Sequence, residues 1–168
     1  MTAKPVLYVA NVSEDDISGQ STAASAVTLH AKNCGGESVI VCAKIESEVA
    51  ELDEADRDEM LDSMGLSEPA VGSLARALNI LLGLSTFYTA GDKEIRAWSV
   101  PREVSAPKAA GAIHSDIERG FIRAECYHVD DLFDIGSEKA IKEAGKLRVE
   151  GKAYNLQDGD VVHFLFNV

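Results

Sequence analysis

Long apolar runs, paired cysteines and basic charge are all scarce in this chain. No stretch reaches the ~18–20 consecutive apolar residues needed to cross a bilayer, and no secretory leader pattern precedes the first apolar segment. The expectation is a cytoplasmic protein without a membrane partner. Only three cysteines occur (Cys34, Cys42 and Cys126), widely spaced and without a C-x-x-C pair. They read as reduced thiols, which excludes a disulfide frame and a zinc ribbon. The four histidines, His30, His114, His128 and His163, show no metal-ligand spacing. The glycine-rich phosphate loop, Gly-x-x-x-x-Gly-Lys-Ser/Thr, occurs nowhere in the 168 residues.

Sixteen Lys and Arg face 28 Asp and Glu, a net charge of −12. The deficit is uneven. Residues 1–83 carry five basic and 14 acidic side chains, a balance of −9; residues 84–168 carry 11 and 14, a balance of −3. The first half is a poor nucleic-acid surface, and the second has room for a local basic patch. No DNA-reading element stands out.

What is present begins with residues 5–10, Pro-Val-Leu-Tyr-Val-Ala, a short apolar run of the kind buried on both faces of a parallel sheet. Ser13 and Asp16 follow at capping-box spacing, ahead of a helical pattern over 18–33 closed by Gly35-Gly36. A second buried strand is expected over 38–43, which makes a right-handed βαβ unit. Asp53 is placed to cap a helix reaching Met64, and Ser67, with Pro69 behind it, a further helix ending at Gly83. The acidic run over 46–62 reads as a solvated helix face.

From Leu84 the texture changes. Residues 85–89 and 95–100 are β-like around Gly91-Asp92; 109–113 is a helical turn, and Ser115-Asp116-Ile117-Glu118 is a capping box with His114 as the helix-opening residue ahead of it. A strand is expected over 121–129 and a helix over 137–144. Residues 154–156 and 161–168 flank Asp158-Gly159, a hairpin-turn signal. Trp98 reads as a core or domain-contact residue rather than a base-stacking platform. The pattern makes a compact α+β unit, with the boundary near Gly83.

The chemistry concentrates where the two N-terminal strands end, the usual place for ligands in an open α/β sheet. Asn11-Val12-Ser13-Glu14 closes the first strand and resembles the base-reading corner of P-loop nucleotide hydrolases. Guanine-specific members carry Asn-Lys-x-Asp there, the aspartate accepting from the ring N–H and the 2-amino group of guanine, donors that adenine lacks. With Val12 in place of lysine and Glu14 in place of aspartate, guanine selectivity should be relaxed or lost, since unpaired polar groups drive such selectivity. Asn, Ser and an acid are equally what a helix N-cap wants, so on these residues alone both readings stand. Cys42-Ala43-Lys44, directly after the second strand, resembles the second base-contacting turn.

Residues 4–14, 87–98, 109–125 and 157–168 together resemble the C-terminal portion of the YchF-type ATPases, an Obg-related family of P-loop proteins, over essentially the whole chain. The resemblance implies that residues 1–83 are the α/β end of a P-loop nucleotide-hydrolase domain (βαβ plus helices). Residues 84–168 would be a TGS domain with the α+β ubiquitin-like β-grasp fold. It implies a ribosome-associated, redox- or translation-linked ATPase that uses ATP, with GTP as a further candidate nucleotide, and Mg2+ in a full-length parent. No tight nucleotide binding or hydrolysis is expected of this chain alone, and no catalytic or metal-ligating residue is assigned. Asn11, Val12 and Glu14, with Cys42, Ala43 and Lys44, map onto the base-contacting motifs. Glu103 stands where the family pattern leads one to expect glycine.

Arg119 and Arg123, with Lys139, Lys142 and Lys146, are candidates for contact with structured RNA or the large ribosomal subunit. The three lysines share a helix face if the helix runs through Gly145; the same residues also read as a solvated face balanced by Glu138, Glu143 and Glu150. Two functions of different class remain: a part of a ribosome-associated ATPase, or a stand-alone TGS interaction module that binds RNA or protein without hydrolysis.

Overall fold

A computed structural model describes residues 4–91 and 94–167. The chain divides into two compact units, Met1–Leu82 and Gly83–Val168.

In the first unit, β1 (Leu7–Asn11) and β2 (Glu37–Val41) form a two-stranded parallel sheet, in register from Leu7 opposite Glu37 to Asn11 opposite Val41. Between them run a 3-10 turn, Glu14–Asp16, and α1 (Thr22–Asn33). The helix starts later than expected because Ser21 caps it, accepting from the Ala24 N–H, while Asp16 accepts from the Ser21 N–H. Ser13 caps nothing through its side chain. β2 stops at Val41, because Cys42 turns the chain into a helix absent from the sequence reading, α2 (Ala43–Val49).

Two helices complete the unit. In α3 (Glu54–Ser63), Asp53 caps as expected, accepting from the Asp56 N–H. For α4 (Ala70–Leu81), the cap position is Pro69 and not Ser67. The Ala70 N–H is satisfied instead by Glu46 of α2, at 2.9 Å. Glu46 therefore does structural work across the unit and is not part of a merely solvated acidic face. Cys42, Ile45, Val49 and Leu61 form a small core, with Val12, Ile17 and Leu66 packed on it. Burial of β1 on both faces, expected from its apolar run, is not reached: Ala10 is buried but Val9 is 51% exposed. Two strands offer too little sheet to bury both faces.

The second unit is a five-stranded mixed sheet in the order β4-β3-β7-β5-β6. Its strands are β3 (Leu84–Ala90), β4 (Ile95–Pro101), β5 (Phe121–His128), β6 (Arg148–Glu150) and β7 (Asp160–Phe166). β3 runs parallel to β7, and the other neighbours are antiparallel. The expected turn at Gly91-Asp92 falls partly outside the described residues. Helices α5 (Ala106–Ile113), α6 (Ser115–Arg119), α7 (Val129–Ile135) and α8 (Glu138–Glu143) fill the connections. Side-chain alternation gives the sheet two apolar faces. Phe87, Val100, Cys126, Val162 and Phe164 pack with Ala106, Ala109 and Ala110 of α5. Tyr127 and Val161 pack with Ile141 of α8 and Leu132 and Ile135 of α7.

Two expectations fail in this unit. Residues 154–156 do not form a hairpin with β7. The Asp158 carboxylate accepts from the Thr86 N–H at 2.7 Å and the Gly159 N–H donates to the Thr86 carbonyl at 2.8 Å. The turn is thereby fastened to β3 and delivers β7 parallel to it, while Asn155 bridges to Ser105. The capping box at 115–118 is also displaced, because His114 itself is the cap, its Nδ1 accepting from the Asp116 N–H at 3.1 Å.

Candidate functional site

Parallel pairing of β1 and β2 brings their carboxyl ends side by side, and with them the two sequence motifs. The Asn11 carboxamide oxygen accepts a hydrogen bond from the Ala43 N–H at 3.1 Å. The Val12 N–H donates to the Val41 carbonyl at 2.8 Å, continuing the ladder one residue past β1. Lys44 Nζ lies 2.9 Å from the Glu14 carboxylate. That hydrogen bond and the charge of Glu14 hold the Lys44 ammonium pKa above its ordinary value. Cys42 is buried, whereas Asn11, Glu14, Ala43 and Lys44 are exposed. A cleft bounded by Asn11, Val12, Ser13, Asp16, Ser21 and Ala24 opens beside this corner.

Motifs separated by about thirty residues in sequence are thus joined by one carboxamide and one ion pair. The Cys42-Ala43-Lys44 segment is a helix N-terminus and not a loop, so its amides point out of α2 toward Asn11. Sequence reasoning missed that helix because the segment 43–49 is short and rich in Glu, with no glycine or proline marking its start.

The basic candidates are scattered and mostly neutralised. Arg119 pairs with Asp116 on α6, and Arg123 lies 3.2 Å from Glu125 on β5. Lys139 lies 4.0 Å from Glu143, and Lys146 reaches Asp131 of α7 at 2.5 Å. That contact holds the Asp131 carboxyl below, and the Lys146 ammonium above, their ordinary pKa values. The common face for Lys139, Lys142 and Lys146 does not form, because α8 ends at Glu143 and Gly145 adopts a φ of +70°. Lys142 contacts no carboxylate among the described residues.

A constellation that no motif signalled joins β6, β7 and the segment between them in the second unit. Asp160 is fully buried, and its carboxylate accepts from Arg148 at 2.6 Å, from the Tyr154 hydroxyl at 2.6 Å and from the Gln157 N–H at 2.9 Å. Tyr154 in turn accepts from Arg148 at 2.9 Å. Burial pushes the neighbouring Cys126 thiol up to about 11 and raises the Tyr154 hydroxyl as well. Every member is satisfied, which marks a structural network and not a reactive one. Among the described residues no group of three or more His, Cys, Asp or Glu could hold a metal ion, and no helix is long and apolar enough to cross a membrane.

The two units together define a mixed α/β protein whose N-terminal parallel strands end in one polar corner. The family described as YchF-GTPase_C, a protein of unknown function (DUF933), matches residues 84–167. A Ribosome-binding ATPase YchF of Bacillus subtilis (strain 168) is 49% identical over 171 residues, covering 100% of this chain and 46% of that protein. The protein of the same name in Escherichia coli O157:H7 is 46% identical over 168 residues, again covering 100% and 46%. The YchF GTPase structure of Schizosaccharomyces pombe superposes with a TM-score of 0.79 at 28% identity, over 97% of this chain and 44% of that one. The chain spans about half the length of the curated relatives it matches. It belongs to the YchF family, as the resemblance implied.

Proposed function

We propose that the first unit is the C-terminal part of a P-loop nucleotide-binding domain and carries the base-recognition corner of an ATPase. Asn11, Val12 and Glu14, with Cys42, Ala43 and Lys44, would flank the purine. The observation that carries this reading is the pair of contacts, Asn11 to Ala43 and Glu14 to Lys44, across the carboxyl ends of parallel strands. The donor set suits a base: the Asn11 oxygen is engaged by Ala43, which leaves its NH2 to donate to a ring nitrogen. Glu14, engaged by Lys44, is poorly placed to demand the guanine donors, which fits a preference for ATP. Phosphate and Mg2+ are not catered for by these residues, so ATP with Mg2+ belongs to a full-length parent carrying a phosphate loop.

The second unit is read as a TGS domain of β-grasp type. Its support is the strand order, with first and last strands parallel at the centre and a helix-bearing connection packed on the sheet. Its relatives' name, ribosome-binding ATPase, supports the ribosome as partner, through the large subunit or structured RNA. Identity extends across both units, which does not favour a stand-alone interaction module. The test is nucleotide competition in a full-length parent: Asn11→Ala should weaken ATP binding while ribosome cosedimentation is retained. Unchanged ATP affinity would return Asn11 to a purely structural role.

A further inference from the structure

β4 is an edge strand, so one row of its backbone N–H and C=O groups has no partner strand. Trp98 on this strand is fixed by two contacts. Its indole Nε1 donates to Thr89 Oγ1 at 2.9 Å, and its ring stacks on Phe87 with centroids 6.4 Å apart and planes 15° apart. Arg96 lies over the Trp98 ring, its guanidinium carbon 4.1 Å from the ring centroid. The stack runs from buried Phe87 through half-buried Trp98 to exposed Arg96.

Arg96 differs from most basic residues of its unit. Lys108, Arg119, Arg123, Lys146 and Arg148 each contact a carboxylate, whereas Arg96 contacts none among the described residues. The result is an exposed, planar guanidinium seated over the Trp98 ring, with no carboxylate partner among the described residues. Such a plate matches the face of an unstacked nucleobase, and its N–H groups can reach an adjoining phosphate. Thr89 also lines a shallow groove with Gly91, Ile113, Ile117 and Phe164, an apolar floor for a neighbouring ribose or base. Glu94 borders that groove and disfavours phosphate there, which directs the backbone of a bound strand to the Arg96 side.

We propose that Arg96, backed by Trp98, is a stacking platform for one base of a single-stranded RNA segment. The inference rests on the reading of Gly83–Val168 as an RNA- or ribosome-contacting unit, and deepens it by naming the contact. One arginine neutralises one phosphate, so the salt dependence is shallow, with a slope of log K against log salt of about −0.7. Most of the affinity comes from stacking.

Trp98 is the only tryptophan of the chain, so its fluorescence reads this site directly. Titration of the full chain with a short single-stranded oligoadenylate should give a saturable change in Trp98 emission. Arg96→Ala should lower the affinity at least about fivefold, the lower end for loss of one base stack. Arg96→Lys keeps the charge and loses the plane, and should lose nearly as much. Both variants should unfold with the cooperativity of the parent, because the side chain is exposed. Absence of a saturable Trp98 response, or full binding by Arg96→Lys, overturns the platform. Binding of labelled oligoadenylate that persists in Arg96→Ala, followed by anisotropy, overturns it too but leaves ribosome contact standing. Loss of ribosome cosedimentation by a full-length parent, with oligoadenylate binding intact, would sink the broader reading and spare this one.

Discussion

The Asn11 carboxamide and the Ala43 amide, 3.1 Å apart, tie the end of one strand to the helix that follows its neighbour. Together with the Lys44–Glu14 ion pair at 2.9 Å, this bond joins the two motifs. Asn11→Ala should leave the first amides of α2 without that acceptor and cost about 1 kcal/mol, the usual net worth of such a bond. Asn11→Asp keeps an acceptor at the same position and should recover most of it. Urea unfolding of the two variants, followed by far-UV circular dichroism, measures the difference; equal stabilities would mean solvent replaces the bond.

Base choice should follow residues 12 and 14. In a full-length parent, Val12→Lys with Glu14→Asp restores the guanine-type motif and shortens the acid so that it no longer reaches Lys44. GTP affinity relative to ATP should rise by about 1–3 kcal/mol, the scale of one well-placed bidentate base contact. Competition with fluorescent ATP and GTP analogues reads the ratio directly. An unchanged ratio in a folded double mutant would assign Asn11-Val12-Ser13-Glu14 to capping and packing alone.

The sequence exposed these elements unevenly, for physical reasons. Strands 84–90 and 95–101 were legible because apolar and β-branched residues cluster there around a glycine. α2 and α7 were not, since each is only seven residues long and follows a strand without a break. The 154–156 hairpin was misread because Asp158-Gly159 carries a hairpin signature, while the turn's actual partner, Thr86, lies 72 residues upstream. Local chemistry cannot report a long-range hydrogen bond. The base corner was legible as two motifs; that one carboxamide and one ion pair join them was not.

Glu103 carries a φ of +59°, the one positive value among the described non-glycine residues. An L side chain in this region clashes with its own backbone, at a cost of roughly 1–2 kcal/mol. This is the position where the family pattern led to an expectation of glycine. Glu103→Gly should therefore stabilise the second unit by about 0.5–1 kcal/mol despite the larger entropy of the unfolded chain. Thermal melts of parent and variant would show an upward shift of a few degrees; a downward shift would mean the glutamate makes a contact that outweighs its strain.

Asp160 gathers three donors in the core, and its removal strands all of them. Asp160→Ala should cost about 3 kcal/mol, the lower end for breaking a buried pair, because Arg148 remains partly in solvent. Asp160→Asn keeps one acceptor and should cost less. Arg148→Met removes the cation but leaves Tyr154 and the Gln157 amide on the carboxylate, so its cost should fall between them. Guanidinium denaturation of the three variants ranks them, and an Asp160→Ala protein as stable as the parent would show that the network contributes no net stability.

Alkaline pH should weaken the second unit through its buried thiol. Burial pushes Cys126 from an ordinary 9.0 up to about 11, and Tyr154 is raised for the same first reason. The native state therefore keeps these protons at pH values where the unfolded chain releases them. The associated stability is complete below pH 9 and drains away as pH climbs through about 11. Cys34 is exposed and Cys42 and Cys126 are buried, so an aromatic disulfide reagent should titrate one thiol quickly in the native protein and three in denaturant. Cys126→Ala will lower the melting temperature at neutral pH by opening space in the core, yet its melting temperature should fall less steeply between pH 9 and 11 than the parent's. Parallel slopes would show that the alkaline loss comes from Tyr154 or elsewhere, and rapid native labelling of Cys126 would show that the core beside Arg148 opens far more often than its packing implies.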